Sequence, residues 1–313
     1  MTEPALPSAE PLQEPAPERQ STPFLVLQFF IFPMAIVGVC VGVFVLFGLI
    51  ASEGRGAREY LAEVRSGSAN RRWQAAYELS KALQARKDPA LADPRFADEL
   101  TRVFEESKTD DPRVRRYLAL ALGRLGDRRA VPALLAAVRP DEGAGSKLDP
   151  DTQVYAVWAL GAIGDPGAAA DLAQLSQSED AGVRKTAVHA LGGLSGTEAG
   201  AALSAALSDP VDDVRWNAAL ALARRGDAAA VPVLLQMTDR EQLASVKDLG
   251  SDQADDVILQ AVGAAAEMAD PALRSRVETL RDGDPSLKVR DAARAALQSG
   301  RPLALTGRGP KVE

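Results

Sequence analysis

Side chains able to do covalent or metal chemistry are scarce in this sequence. It holds one histidine, His189, and one cysteine, Cys40, in 313 residues. A single imidazole removes any mechanism that needs two, including the paired histidines of HExxH zinc proteases. One cysteine removes an intrachain disulfide and every cysteine-rich zinc site. Carboxylates are plentiful, and two stretches concentrate them: RPDEGAGSKLDPD at 139–151 and DREQLASVKDLGSDQADD at 239–256. Such loops can hold a hard cation, yet neither has the DxDxDG spacing of a calcium loop, and solvated connections are the simpler reading. No nucleophile, base and orienting group stand together at a fixed spacing. The expectation is a chain with no catalytic, cofactor-binding or metal-binding residues and no cofactor: not an enzyme.

Charge narrows the partners. The formal net charge is −7; residues 1–22 carry four Glu and one Arg, 23–52 carry none, and the remainder therefore holds −4. A mildly acidic body has no field with which to gather phosphates, so no nucleic-acid partner is expected.

The elements that must position any site are repeats. Four segments align without gaps: VRRYLALALGRLGD (114–127), TQVYAVWALGAIGD (152–165), VRKTAVHALGGLSG (183–196) and VRWNAALALARRGD (214–227). Looser copies start at 71, 257 and 289. Counting columns from zero, column 4 is Ala in all but Leu118, and column 8 is Leu in all but Ala265. At about 100° per residue, columns 0, 4, 8 and 11 form one apolar stripe, and small column-4 residues permit close helix contact. Gly or Ser near column 12 and Asp near column 13 stop the helix and begin a turn. A second apolar run follows at 130–138, 168–175, 199–207 and 229–237. Each unit is a helix–turn–helix that cannot bury its apolar face alone, so neighbours must stack.

VRRYLALALGRLGDRRAVPALLAAV resembles the short HEAT repeat of the phycobilisome lyases, over about residues 70–300. The resemblance implies an all-α fold, a right-handed α-solenoid of about seven HEAT-like helix pairs. It leaves function open, because such repeats serve scaffolds, adaptors and a few enzymes. An iron-dependent hydroxylase family with similar repeats uses His–Glu ligand pairs, which a chain with one histidine does not match.

Column 1 is Arg72, Arg115, Arg184, Arg215 and Arg290 in five of the repeats, and acidic residues such as Asp111, Asp180, Asp212 and Asp213 precede several of them. One reading is an anion-binding ladder. The other, which the resemblance favours, is Asp capping each first helix while Arg pairs with an Asp of the adjacent repeat. Columns 2 and 6 point away from the stripe and hold Trp73 and Tyr77, Arg116 and Leu120, Trp158, Lys185 and His189, and Trp216 and Leu220. An apolar strip rimmed by basic groups suggests a protein interface formed by Trp73, Tyr77, Leu120, Trp158, His189, Trp216 and Leu220. The competing reading is a face half-buried by inter-repeat loops or by helix bending. His189 shares its column with Leu120, Trp158 and Leu220, which makes it a packing or surface residue rather than a base.

Residues 1–22 are Pro- and Glu-rich and read as a disordered tail, and 301–313 as a frayed one. Phe24–Ile50 carries no charge. It exceeds the length of a signal-peptide apolar core and lacks a basic n-region, so 23–51 reads as an uncleaved transmembrane helix. Gly38 and Gly42 form a GxxxG that can join two copies, and Cys40 between them reads as inert packing. Arg55, Arg58 and Arg65 follow the span, so the charge rule places the C-terminal domain in the cytoplasm of a single-pass inner-membrane protein. Residues 52–69 read as a linker and capping helix, with Tyr60, Leu61 and Val64 on one side. The resulting expectation is a membrane-anchored interaction scaffold, an accessory subunit of a membrane complex. The alternatives are a lyase-type or other enzyme on HEAT repeats, or an envelope-facing binding module.

Overall fold

The computed structural model describes residues 31–51, 55–85, 88–139 and 149–298, with the side chains of 33 and 47–51 set aside. The expected tails at 1–22 and 301–313, and most of the 139–151 connection, lie outside these residues. The chain divides into two units, Met1–Arg55 and Gly56–Glu313.

In the first unit one helix is described, α1 (Phe32–Ala51). Its described side chains are apolar and open, from Val43 at 46% exposure to Phe44 at 82%. The expectation of a single-pass anchor over 24–50, and the inner-membrane placement built on it, is overturned. Residues 24–30 lie outside the described chain. Among the described residues no helix is long and apolar enough to cross a membrane. Cys40 is exposed, and a Cβ added at Gly38 or Gly42 would meet nothing within 4 Å beyond the helix's own backbone.

Every described element of the second unit is a helix. It opens with α2 (Ala57–Ser66), which buries Ala57, Leu61 and Val64 and packs on the first repeat. The pairs follow: α3 (Ala69–Gln84) with α4 (Pro94–Glu106), α5 (Pro112–Leu125) with α6 (Val131–Val138), α7 (Pro150–Ile163) with α8 (Ala169–Leu175), and α9 (Ala181–Gly192) with α10 (Thr197–Ala206). Then come α11 (Asp212–Arg224) with α12 (Val231–Met237), a short α13 (Arg240–Ala244), α14 (Ser251–Glu267) with α15 (Pro271–Gly283), and α16 (Leu287–Gln298). Six pairs and a single first helix are thus described. The second helices α4 and α15 do not share the AVPALL-type wording of the others, yet they bury Phe96, Leu100 and Phe104, and Leu273, Val277 and Leu280, in the same role.

Local chemistry explains the punctuation. Gly126 and Gly164 end α5 and α7 at φ 75° and 70°, the left-handed cap that favours glycine. Asp127 and Asp165 then accept from the amides of Arg129 and Gly167 and start the next turn. Successive first helices lie side by side in one layer. Column 9 sets their spacing: a Cβ on Gly123 would meet the Ala159 Cα at 2.7 Å, one on Gly161 the Ala190 Cα at 2.8 Å, and one on Gly192 the Ala221 Cβ at 2.9 Å. Backbones in van der Waals contact give a dry interior with little side-chain bulk, which suits a core made largely of Ala, Leu and Val.

Two members of the arginine column form rungs between repeats. Arg72 binds Asp110 through Nη1 at 2.7 Å, and Arg184 binds Asp209 through Nε at 2.8 Å, each carboxylate coming from just before the next first helix. Where the column holds Gln153, its amide donates to the Val138 carbonyl at 3.0 Å. Asp111 and Asp180 cap α5 and α9 as expected. Asp212 and Asp213 do not cap α11, whose N-cap is Val211; they lie in its first turn and pair with Arg215 and Lys185.

Candidate functional site

The residues of columns 2 and 6 come to one face of the first-helix layer, in two groups. At the N-terminal end Trp73, half-buried, anchors its indole by donating Nε1–H to Asn70 Oδ1 at 3.0 Å, under the Arg113 guanidinium at 4.7 Å. Tyr77 is 40% exposed and carries Lys81 at 5.2 Å from its ring. Its ring meets Tyr117 edge-on at 5.2 Å, and Tyr117 meets Tyr155 at 6.3 Å, so the phenols step across α3, α5 and α7. Tyr117 and Tyr155 belong to column 3, outside columns 2 and 6; a tyrosine in the same column of two adjacent repeats, next to a repeat that carries Tyr77, is the signal that was there to find. Leu120 and Trp158 are half-buried against the core, and His189 is exposed.

The expectation of a contiguous exposed strip is therefore corrected. Trp216 is only 8% exposed and belongs to the core. The packing differs at the next junction. Column 9 of α11 is Ala223 instead of the glycine of the three preceding repeats, and α11 and α14 share the slightest contact of any successive first helices among the described residues. The layer opens there into a groove of ≈ 380 Å³. Trp216 and Leu220 of α11, Met237 of α12, Leu249 before α14 and Val257 of α14 supply its apolar lining. Lys185, Asp213, Asn217, Gln253, Asp256 and Gln260 supply the polar groups.

The stretch 239–256 builds one wall of this groove. Asp239 caps α13 through the Glu241 and Gln242 amides. Arg240 then clamps the segment: Nε donates to Asp284 at 2.7 Å and Nη2 to Asp255 at 2.7 Å. Hydrogen bonding to Asp284, opposed by burial, raises the Arg240 pKa above its ordinary value. The Asp255 carboxyl is held below the usual range by the Ser286 hydroxyl and by Arg240. Of the basic rim, Arg116 is engaged by Asp149 at 2.9 Å and Asp151 at 2.9 Å, and Lys185 by Asp213. Arg116 holds the Asp149 carboxyl below its ordinary pKa. Among the described residues no group of three or more His, Cys, Asp or Glu could hold a metal ion.

Residues 142–214 match the family model for HEAT repeats, and 114–139 and 214–240 match the model for the PBS lyase HEAT-like repeat. No curated protein matches the chain. Solved structures similar to it include the complex of CpcE and CpcF of phycocyanin lyase from Nostoc sp. PCC7120, at 20% identity over 77% of this chain and 95% of that one, TM-score 0.49. Human deoxyhypusine hydroxylase is similar at 20% identity over 77% and 95%, TM-score 0.31. A designed armadillo repeat protein is similar at 16% identity over 77% and 98%, TM-score 0.33.

The chain thus carries HEAT repeats, phycobilisome lyase-like ones among them. The expectation that it is no enzyme is overturned on this point. A hydroxylase and the components of a lyase, by their names, stand among the solved structures similar to it. A sparse set of catalytic side chains was the ground for that expectation, and a repeat architecture does not by itself decide for or against catalysis.

Proposed function

We propose that this HEAT-repeat scaffold holds a partner protein against the column 2 and column 6 face of its first-helix layer. Trp73, Tyr77, Leu120, Trp158, His189, Trp216 and Leu220 mark the contact, with Tyr117 and Tyr155 added by the geometry. The single observation that carries the reading is the groove at Trp216 and Leu220, where the layer opens on the same face that presents Tyr77. Aromatic and aliphatic side chains with polar groups at the edge are the composition of protein-docking surfaces.

Photo-crosslinking residues placed at Tyr77, Leu120, His189 and Leu220 test it in cells that produce the protein. Crosslinks to one common protein are expected from these positions. None is expected from Glu198 and Gln236, which are exposed on second helices. Crosslinks arising only from the control positions, or from none, overturn the proposal.

A further inference from the structure

The groove between α11 and α14 has a chemical character that the rest of the face lacks. Two carboxylates and one ammonium line it, and Lys185 is already paired with Asp213. Asp256 is exposed and has no ion-pair partner among the described residues, and Asp252, one turn earlier on α14, has none either. The opening therefore carries surplus negative charge over an apolar floor of Trp216, Leu220 and Val257. The amides at its sides are only partly engaged. Asn217 Nδ2 donates to the Asp213 carbonyl at 2.7 Å, which leaves its oxygen as an acceptor. Gln253 Oε1 accepts from the Gly250 amide at 2.9 Å, which leaves its nitrogen as a donor. A polypeptide backbone alternates donors and acceptors and satisfies both. The volume equals about a dozen waters, room for a few side chains and no folded element.

From this we infer that the groove takes an extended polypeptide segment presenting an arginine or lysine beside an aliphatic side chain. The cation meets Asp256, the aliphatic group covers Leu220 and Val257, and the backbone bonds the Asn217 and Gln253 amides. An acidic segment would bring like charge against Asp256 and is disfavoured. This inference rests on the docking face proposed above and names what one end of that face recognises.

The experiment uses the full chain and a displayed library of random ten-residue peptides. Enriched peptides are expected to carry Arg or Lys within two residues of Leu, Ile, Val or Met. Their binding should weaken at least tenfold on Asp256→Lys, an exposed position whose replacement leaves the thermal melt unchanged, and on Leu220→Glu. Enrichment of acidic or wholly apolar peptides, enrichment of none, or binding indifferent to both substitutions overturns the inference. Peptides that ignore Asp256→Lys and Leu220→Glu but are lost on Tyr77→Glu remove this inference and leave the docking face standing. Loss of crosslinks across the whole face removes the docking reading itself.

Discussion

At the scale of single residues, glycine acts here through what it lacks. Adding a methyl at Gly161 places a carbon 2.6 Å from the Ala190 Cβ and 2.8 Å from its Cα, so two backbones must part. Helix propensity alone favours Gly→Ala by about 1 kcal/mol; overpacking opposes it by about 1–3 kcal/mol. Gly161→Ala should therefore lower stability in urea unfolding. Gly263→Ala on α14, where nothing lies within 4 Å, should raise it. The same sign at both positions would disprove the spacing role of column 9. Asp209 illustrates charge at this scale. Burial pushes its carboxyl up, but hydrogen bonds from Arg184 and the Val211 amide outweigh that and hold it below 3.8. The folded state then binds the proton more weakly than the unfolded one. Its contribution is complete above about pH 4 and lost as pH falls through the lowered folded value. With the Asp209 side chain 8% and Arg184 13% exposed, Asp209→Asn should cost about 3 kcal/mol at pH 7. The gap between variant and parent should narrow below about pH 4 in urea titrations at stepped pH.

Among elements, the instructive one is the stretch 239–256. Its carboxylates suggested a solvated loop or a cation site. The structure uses Asp239 as a cap and Asp255, with Asp284, as anchors for Arg240. The Asp284 side chain is 1% exposed, so Arg240→Ala leaves a buried carboxylate without its cation and should cost about 3 kcal/mol. Hydrogen exchange of residues 240–249 should quicken, and adding Asp284→Asn should recover part of the loss. No change in exchange would show that α13 is held by other means. What the sequence made legible follows from locality. Helix starts, αL stops, the alanine column and the Arg–Asp rungs each depend on residues within one repeat or its neighbour, and periodicity displays them. The groove is lined from α9, α11, α12 and α14 and from Leu249 before α14, residues that lie in different repeats and in the longer connection between them. A helical wheel gives Trp216 a direction from its own axis; it does not give the width of the gap beside it.

For the molecule as a whole, stability in a stack of repeats is close to a sum over units and the junctions between neighbours. Junctions from α5 to α11 are closed by column-9 glycine against column-7 alanine, and rungs such as Arg184–Asp209 cross them. The junction from α11 to α14 has Ala223 in that column and an open groove beside it. Beyond it, Arg240, Asp255 and Asp284 tie α13, α14 and the α15–α16 turn to one another. The array should therefore part at this junction first, with 240–298 opening as one cooperative unit while 112–224 remains folded. Native-state hydrogen exchange in increasing urea tests this. Amides of α14, α15 and α16 should merge into a common isotherm of lower free energy than those of α5, α7 and α9. A peptide seated in the groove bridges α11 and α14, so it should raise the lower isotherm toward the higher one by mass action. A single isotherm for all first helices, with or without peptide, would mean that the opening between α11 and α14 costs the array no cooperativity.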